Sequence, residues 1–378
     1  IMYTFKLYYS FKTHLLHEFM DYGYTTGEET LDKDIFRLLP GQSLKIKNKS
    51  EEKAKYWHNR RPKASIEKSP SFDEKKDEFL SLFSDSINLQ LHADVPVGVF
   101  LSGGLDSSAV VAMIARNNPS QKIKTFSVRY DIDEYGDEYD ESVYAEQVAK
   151  HFGTDHHTYT MTADDFKNYI PDFVRAMDEP VTEAAAISLH FVSELAKEKV
   201  TVVLSGEGSD EMFGGYELYQ NMIKLEKIRK TLTPALTNLI SSLSSKLLPN
   251  GNKVRKYIEL AALPFEERYR GISVYDKSHK ESLYKIGFSN MRQDTGFSEK
   301  TIIESRGQST LSRMLDFDTK TWLVDDLLIK ADRMSMASSL ELRVPFLDHR
   351  IVEFAAALPD NFKINNGSCK YILKEAMR

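Results

Sequence analysis

The sequence predicts an α/β fold: a parallel sheet with a mostly helical C-terminal part, preceded by a small β segment. Three observations point there. Short apolar runs at 95–101 and 200–204 alternate with segments whose apolar residues recur every three or four positions. Strands that are apolar throughout, rather than alternating, are buried on both faces, as in a parallel sheet covered by helices. Both runs also end in Ser-Gly, at Ser102-Gly103 and Ser205-Gly206, which places them at the carboxyl edge where such sheets bind ligands.

Residues 1–58 mix aromatics with β-like runs, and "LLPGQSLKIK" reads as a turn feeding a strand. The polar, Pro-punctuated stretch 59–71 reads as a linker. From 72 the pattern turns helical: Phe79, Leu82, Phe83, Ile87 and Leu91 form one apolar face. There follow a strand at 95–101, a helix from Ser107 past Ile114, a strand at 124–130, a helix at 142–152 and a strand at 156–160. Helices from Ala163 and Glu183 lead to the apolar strand before Ser205. Beyond 216 the pattern is mostly helical, including 224–230 and 311–336, where the Met and aromatic positions read as packing. "RVPFLD" reads as a rigid Pro turn that sets Phe346 and Leu347 in the core.

Composition narrows the function classes. With 378 residues, 41% hydrophobic and 28% charged, the chain is long enough for two domains and apolar enough for a substantial core. A net charge of −6 offers no basic field for a phosphate backbone, so nucleic acid is not expected as a partner. No apolar stretch approaches the roughly 20 residues that span a bilayer, and no basic-then-apolar leader opens the chain. A membrane partner is therefore not expected, and the cytoplasm is the default location. The single Cys369 rules out an internal disulfide framework and a Cys-rich zinc site. Because the chain opens at Ile1 inside what reads as a structured segment, it is expected to be a fragment of something longer.

"FLSGGLDSS" (100–108) carries the first chemical signal. Gly103 and Gly104 allow a tight turn with bare N–H groups near a ligand, and the helix that follows aims its positive end at the same place. Ser107 and Ser108 can cap that helix or donate to phosphate oxygens. Asp106 has two readings: a simple cap, or a carboxylate that carries Mg²⁺ to a phosphate. The whole run after an apolar strand favours the second. It is not a Walker loop, which needs a lysine inside the cradle.

"LSGEGSDEMFGGY" (204–216) joins another strand end to a second acidic cluster. The first loop resembles the pyrophosphate loop of the ATP pyrophosphatases. Both loops together resemble the synthetase domain of the glutamine-hydrolysing asparagine synthases, a family that includes the β-lactam synthetases. "TFSVRY", "MDEPVTEAAAISLHFVSELA", "IKADRMSMASSLELRVPFLDH" and "KYILKEA" extend the resemblance over most of 72–378. It implies an adenine nucleotide alpha-hydrolase-like (PP-loop) fold that adenylates aspartate with ATP and Mg²⁺, releases PPi, and yields asparagine from ammonia.

Residue by residue, the resemblance implies that Phe100, Val128, Ser205 and Gly206 hold adenine and ribose. Ser102, Gly103, Gly104, Asp106, Ser107 and Ser108 would hold the pyrophosphate, and Asp106 and Asp210 would hold Mg²⁺. Glu207 would position the acyl-adenylate, and Lys370 would stabilise charge on the phosphates. On residue type alone, Glu207 and Asp210 could be carboxylates favoured by a helix dipole. Lys370 is not distinguished in this way from Lys330 or Lys374. Arg333, Glu341 and Arg343 read either as an ion network beneath the site or as a solvated face.

The resemblance further implies that 1–58 is the end of a glutaminase domain, 59–71 the linker and 72–378 the synthetase domain, stopping within a helix that begins near Lys370. The glutaminase cysteine is not in this chain, so it should use free ammonia and not hydrolyse glutamine; a homodimer is the assembly allowed for. Two rivals stand: adenylation of a different carboxylate, including lactam closure, and an idle nucleotide-binding module.

Overall fold

A computed structural model describes residues 12–59, 71–131, 141–232, 249, 252–272 and 296–378. The expected linker therefore lies almost wholly outside the described residues.

Helix α1 (Thr13–Tyr22) ends at Gly23, whose φ of 85° is a left-handed cap. Strands β1 (Gln42–Lys47) and β2 (Ser50–Lys55) form an antiparallel hairpin. Its turn residues Asn48 and Lys49 both have positive φ, which matches the right-handed twist of the strands. Helix α2 (Phe72–Leu91) buries Phe79, Phe83 and Ile87 completely, as its spacing predicts, and leaves Leu82 and Leu91 partly covered.

The central sheet is β3 (Val97–Phe100), β4 (Lys124–Tyr130), β5 (Asp155–Met161), β6 (Val202–Leu204) and β7 (Glu341–Arg343), in the order β5-β4-β3-β6-β7. Every pairing is parallel. Between the strands lie α3 (Leu105–Asn117), α4 (Ser142–Phe152), α5 (Ala163–Met177) and α6 (Ala185–Lys197). Helix α5 starts at a reciprocal capping pair, Thr162 and Asp165. Strand β7 was not expected; its three residues are too short to show a period.

After β6 come α7 (Ser209–Phe213), α8 (Glu217–Thr231), α9 (Lys253–Ala262) and α10 (Thr310–Lys320), then a π-helical turn, Leu323–Leu327, and α11 (Leu328–Ala337). The turn Pro345–Leu347 buries Phe346 fully, 4.5 Å from the Phe83 ring, while Leu347 is only partly buried. Phe346→Ala should cost about 3–5 kcal/mol, since that cavity cannot collapse against a stacked ring. Helix α12 (Tyr371–Ala376) closes the chain. The segment before β1 shares the same core: Tyr24 lies 5.9 Å from Trp322, and Tyr22 lies 6.2 Å from Phe317.

Candidate functional site

At the carboxyl end of β3, Gly103 takes φ 81°, and a Cβ there would lie 2.4 Å from the Ala145 nitrogen of α4. Glycine is required at this point both for conformation and for space. Gly104 has an ordinary φ of −66° and caps α3, so the helix begins at Leu105, two residues before the start expected. Ser107 and Ser108 consequently sit inside the first turn rather than capping it. Ser107 Oγ donates to Gly104 O (3.3 Å) and accepts from Ser102 N–H (3.2 Å), while Gly104 N–H donates to Ser102 Oγ (3.2 Å). The serines brace the loop and leave its face open toward the helix N-terminus.

The second loop meets the first directly. Strand β6 lies beside β3, and a Cβ on Gly206 would fall 2.7 Å from Asp106 Cβ and 2.9 Å from Ser107 N. Ser205 N–H donates to Arg343 O (2.9 Å), and Ser205 Oγ accepts from Glu207 N–H (3.2 Å). Phe100 ends β3 and Val128 lies near the end of β4, with side chains packed around Phe126 and Val203.

Lys370 joins the two loops. Its Nζ lies 2.5 Å from Asp106 Oδ2 and 2.7 Å from Asp210 Oδ1. The backbone at Lys370 is left-handed, φ 50° and ψ 40°, immediately before α12. It emerges from a tight turn in which Asn365 and Ser368 exchange backbone hydrogen bonds. Gln220 Nε2 steadies that turn through Gly367 O (3.0 Å) and Cys369 Sγ (2.8 Å). Gly215 makes room: a Cβ would stand 1.7 Å from Asp210 Oδ1 and 2.2 Å from Lys370 Cε.

The electrostatics follow from one cation between two anions. Burial works against the Lys370 ammonium, but Asp106 and Asp210 outweigh it and hold its pKa above the ordinary value. Burial lifts the Asp210 carboxyl above its usual range; Lys370 opposes the shift and Asp106 adds to it. The three groups sum to −1. Asp106 Oδ1 and the hydroxyls of Ser108 and Ser209 are buried without a hydrogen-bond partner among the described residues. Hard oxygen donors with surplus negative charge fit a divalent cation. No cluster of three His, Cys, Asp or Glu forms a protein-only metal site among the described residues, so substrate oxygens would complete the shell.

Beside this centre lies a second one. Lys330, buried on α11, has its Nζ 3.8 Å from Glu207 Oε1. Asp326, in the π-helical turn, is buried and pushed up to about 7 by burial and by the charge of Glu183, with Lys330 opposing. Its Oδ1 has no hydrogen-bond partner among the described residues. Glu211 is pushed up to about 8, chiefly by burial, and accepts from Tyr216 Oη at 2.5 Å. Sequence reasoning missed Asp326, Glu183 and Glu211. The available signal was the pair of acids in the otherwise apolar "WLVDDLLI".

The ion network beneath the site is not formed. Arg333 is exposed on α11. Glu341 is exposed and pairs with Arg343 (2.7 Å), whose guanidinium donates to Gln90 O (2.6 Å) and His92 O (3.0 Å) at the end of α2. Among the described residues Arg343 reaches the site through its carbonyl, which accepts from Ser205 N–H, while its guanidinium faces the end of α2.

A family model described as asparagine synthase matches residues 78–378. The chain is 33% identical over 363 residues to asparagine synthetase (glutamine-hydrolysing) 1 of Bacillus subtilis, covering 96% of this chain and 55% of that protein. It is 36% identical over 301 residues to a protein of Mycobacterium tuberculosis provisionally named asparagine synthetase (glutamine-hydrolysing), covering 80% and 45%. An amidase of Penicillium rubens is 27% identical over 399 residues, covering 95% and 58%. The chain spans about half the length of these curated relatives.

Proposed function

The chain belongs to the asparagine synthase family, and from that premise we propose that it amidates the side-chain carboxylate of aspartate at the expense of ATP. One observation carries the reading: Lys370, Asp106 and Asp210 converge from three separate segments at the carboxyl edge of the sheet. A carboxylate oxygen of aspartate attacks the α-phosphorus, the bond to the β-phosphate oxygen breaks, and PPi leaves β-aspartyl-AMP. Ammonia then attacks the acyl carbon; asparagine forms as AMP departs and a proton is lost to solvent.

Residues 102–108 offer backbone N–H groups and hydroxyls to the departing pyrophosphate, and Phe100, Val128, Ser205 and Gly206 border the adenosine. Asp106 and Asp210 would hold Mg²⁺, which supplies charge neutralisation on the phosphates when bound. The Lys370 ammonium stabilises charge growing on the same oxygens. Glu207, Glu183 and Asp326 present carboxylates to the ammonium group of an amino acid, and Lys330 offers a cation to its α-carboxylate.

The test is ATP–PPi exchange with aspartate against other carboxylic acids. Exchange should require aspartate. Exchange driven better by another acid would move the reading to a different acceptor, and ATP binding without any exchange would leave a nucleotide-binding module.

A further inference from the structure

Arg37 comes from the segment ahead of β1, far in sequence from either loop, yet it contacts Glu179 and Asp325, which flank two acids of the Lys330 cluster. Its Nε donates to Glu179 Oε2 at 2.9 Å, and its Nη2 contacts the same carboxylate. Its Nη1 lies 3.7 Å from Asp325 Oδ1 and donates to Thr25 O (2.9 Å) and Gly27 O (3.2 Å). Gly27 N–H in turn donates to Asp325 Oδ2 (3.0 Å), and Thr182 N–H donates to Gly23 O (3.1 Å).

Of the two carboxylates that Arg37 holds, Asp325 is adjacent in sequence to Asp326 and Glu179 lies four residues before Glu183, and the charges of Glu183 and Lys330 both act on Asp326. Asp325 precedes Asp326 in the π-helical turn, and consecutive residues of a helix project in different directions, so one turn can serve both sides. Glu179 opens the short loop that ends at Glu183, and it follows Asp178, a non-glycine residue with φ 58°. The turn carries only a short run of backbone hydrogen bonds, such as Leu328 N–H to Leu323 O, and the loop is irregular. Arg37, with five donors in a rigid fork and 15% of its side chain exposed, ties them together.

We propose that Arg37 is a positioning residue of the synthetase site, acting through Glu179 and Asp325 on the placement of Glu183 and Asp326 around Lys330. The inference rests on the amino-acid pocket named above. It makes binding of the acyl acceptor, and not of ATP, depend on the N-terminal segment.

ATP–PPi exchange with the 378-residue chain tests it, with KM for aspartate and for ATP measured separately alongside thermal melting. Arg37→Met should raise KM for aspartate about tenfold, with KM for ATP within about twofold, as expected for a lost uniform-binding interaction. Asp325→Asn, which keeps an acceptor for Gly27 N–H, should act in the same direction if Arg37→Met does not fold. The double variant should be no worse than the more severe single one, because both remove the same link. Arg37→Lys should recover only part of the affinity. An unchanged aspartate KM in a folded Arg37→Met or Asp325→Asn protein would overturn the inference and leave the proposed function standing. So would aspartate and ATP constants that worsen together with melting temperature. Wild-type chain that shows no exchange with aspartate would remove both.

Discussion

The two lysines of the site sit in opposite electrostatic conditions. Lys370 is in direct contact with Asp106 and Asp210, at 2.5 and 2.7 Å, and its pKa is raised. Lys330 is 3.8 Å from its nearest carboxylate, within a pocket whose acids outnumber it and whose Asp326 keeps an unpartnered oxygen. The first centre holds one cation at contact distance from two anions and keeps oxygens for a metal and substrate, suited to meet charge that moves during reaction; the second leaves its cation loosely paired, suited to bind the charged groups of an acceptor. Turnover should therefore depend on the first and acceptor affinity on the second.

The largest effect should come from removing the shared cation. Lys370→Ala should lower turnover by about three orders of magnitude, with KM changed little, since the interaction strengthens in the transition state. Steady-state PPi release on a protein shown folded by circular dichroism checks this. Gly215→Ala should follow, with about a hundredfold loss, because its methyl group would displace the Asp210 carboxylate and the Lys370 stem that fix the geometry. Retained activity in either variant would dissolve the distinction between the centres. Asp326→Asn should raise KM for aspartate about tenfold while leaving KM for ATP unchanged; an equal rise in both would show that the pockets are one.

A last effect is on stability alone, with activity unchanged, and serves as a control outside both centres. Asp318 is fully buried, accepts from Tyr219 Oη at 2.6 Å and contacts Tyr269 Oη, and is pushed up to about 7 by burial from the ordinary 3.8. Between those values the native state holds a proton that the unfolded chain has released. Wild type should therefore lose stability relative to Asp318→Asn as pH rises from about 4 to about 7, by at most about 1.4 kcal/mol per unit, and the gap should then level off. Chemical denaturation across that range measures it; a gap that is flat from 4 to 7 would show that the carboxyl ionises normally.

Much of this was legible in the sequence, for identifiable reasons. The strands before Ser102 and Ser205 declare themselves because both faces are buried, so no polar residue interrupts them. The spacing of Phe79, Phe83 and Ile87 likewise fixes the face of α2. The start of α3 was misplaced because Gly104, not a serine, takes the cap position, a choice set by the loop's dihedrals and not by residue preference. Lys370 was found only through family resemblance; its place depends on a left-handed backbone held by Gln220 from another helix. Asp326 was missed because a π-helical turn breaks the helical period that would have assigned it a face, and Glu183 because it lies in an irregular loop before α6. Of the two readings for Arg333 the solvated face is the one found: its neighbours at 331, 334 and 335 take the buried face and leave it in solvent.

The central claim is that the two loops direct cleavage between the first and second phosphorus of ATP with a carboxylate as the attacking group. Oxygen-labelled aspartate, incubated with ATP and ammonia, tests it most directly. Transfer of one labelled oxygen from the side-chain carboxylate into AMP, matched by equal PPi, is the result expected. Label in inorganic phosphate with ADP as the other product would place the attack on the terminal phosphorus and contradict the account.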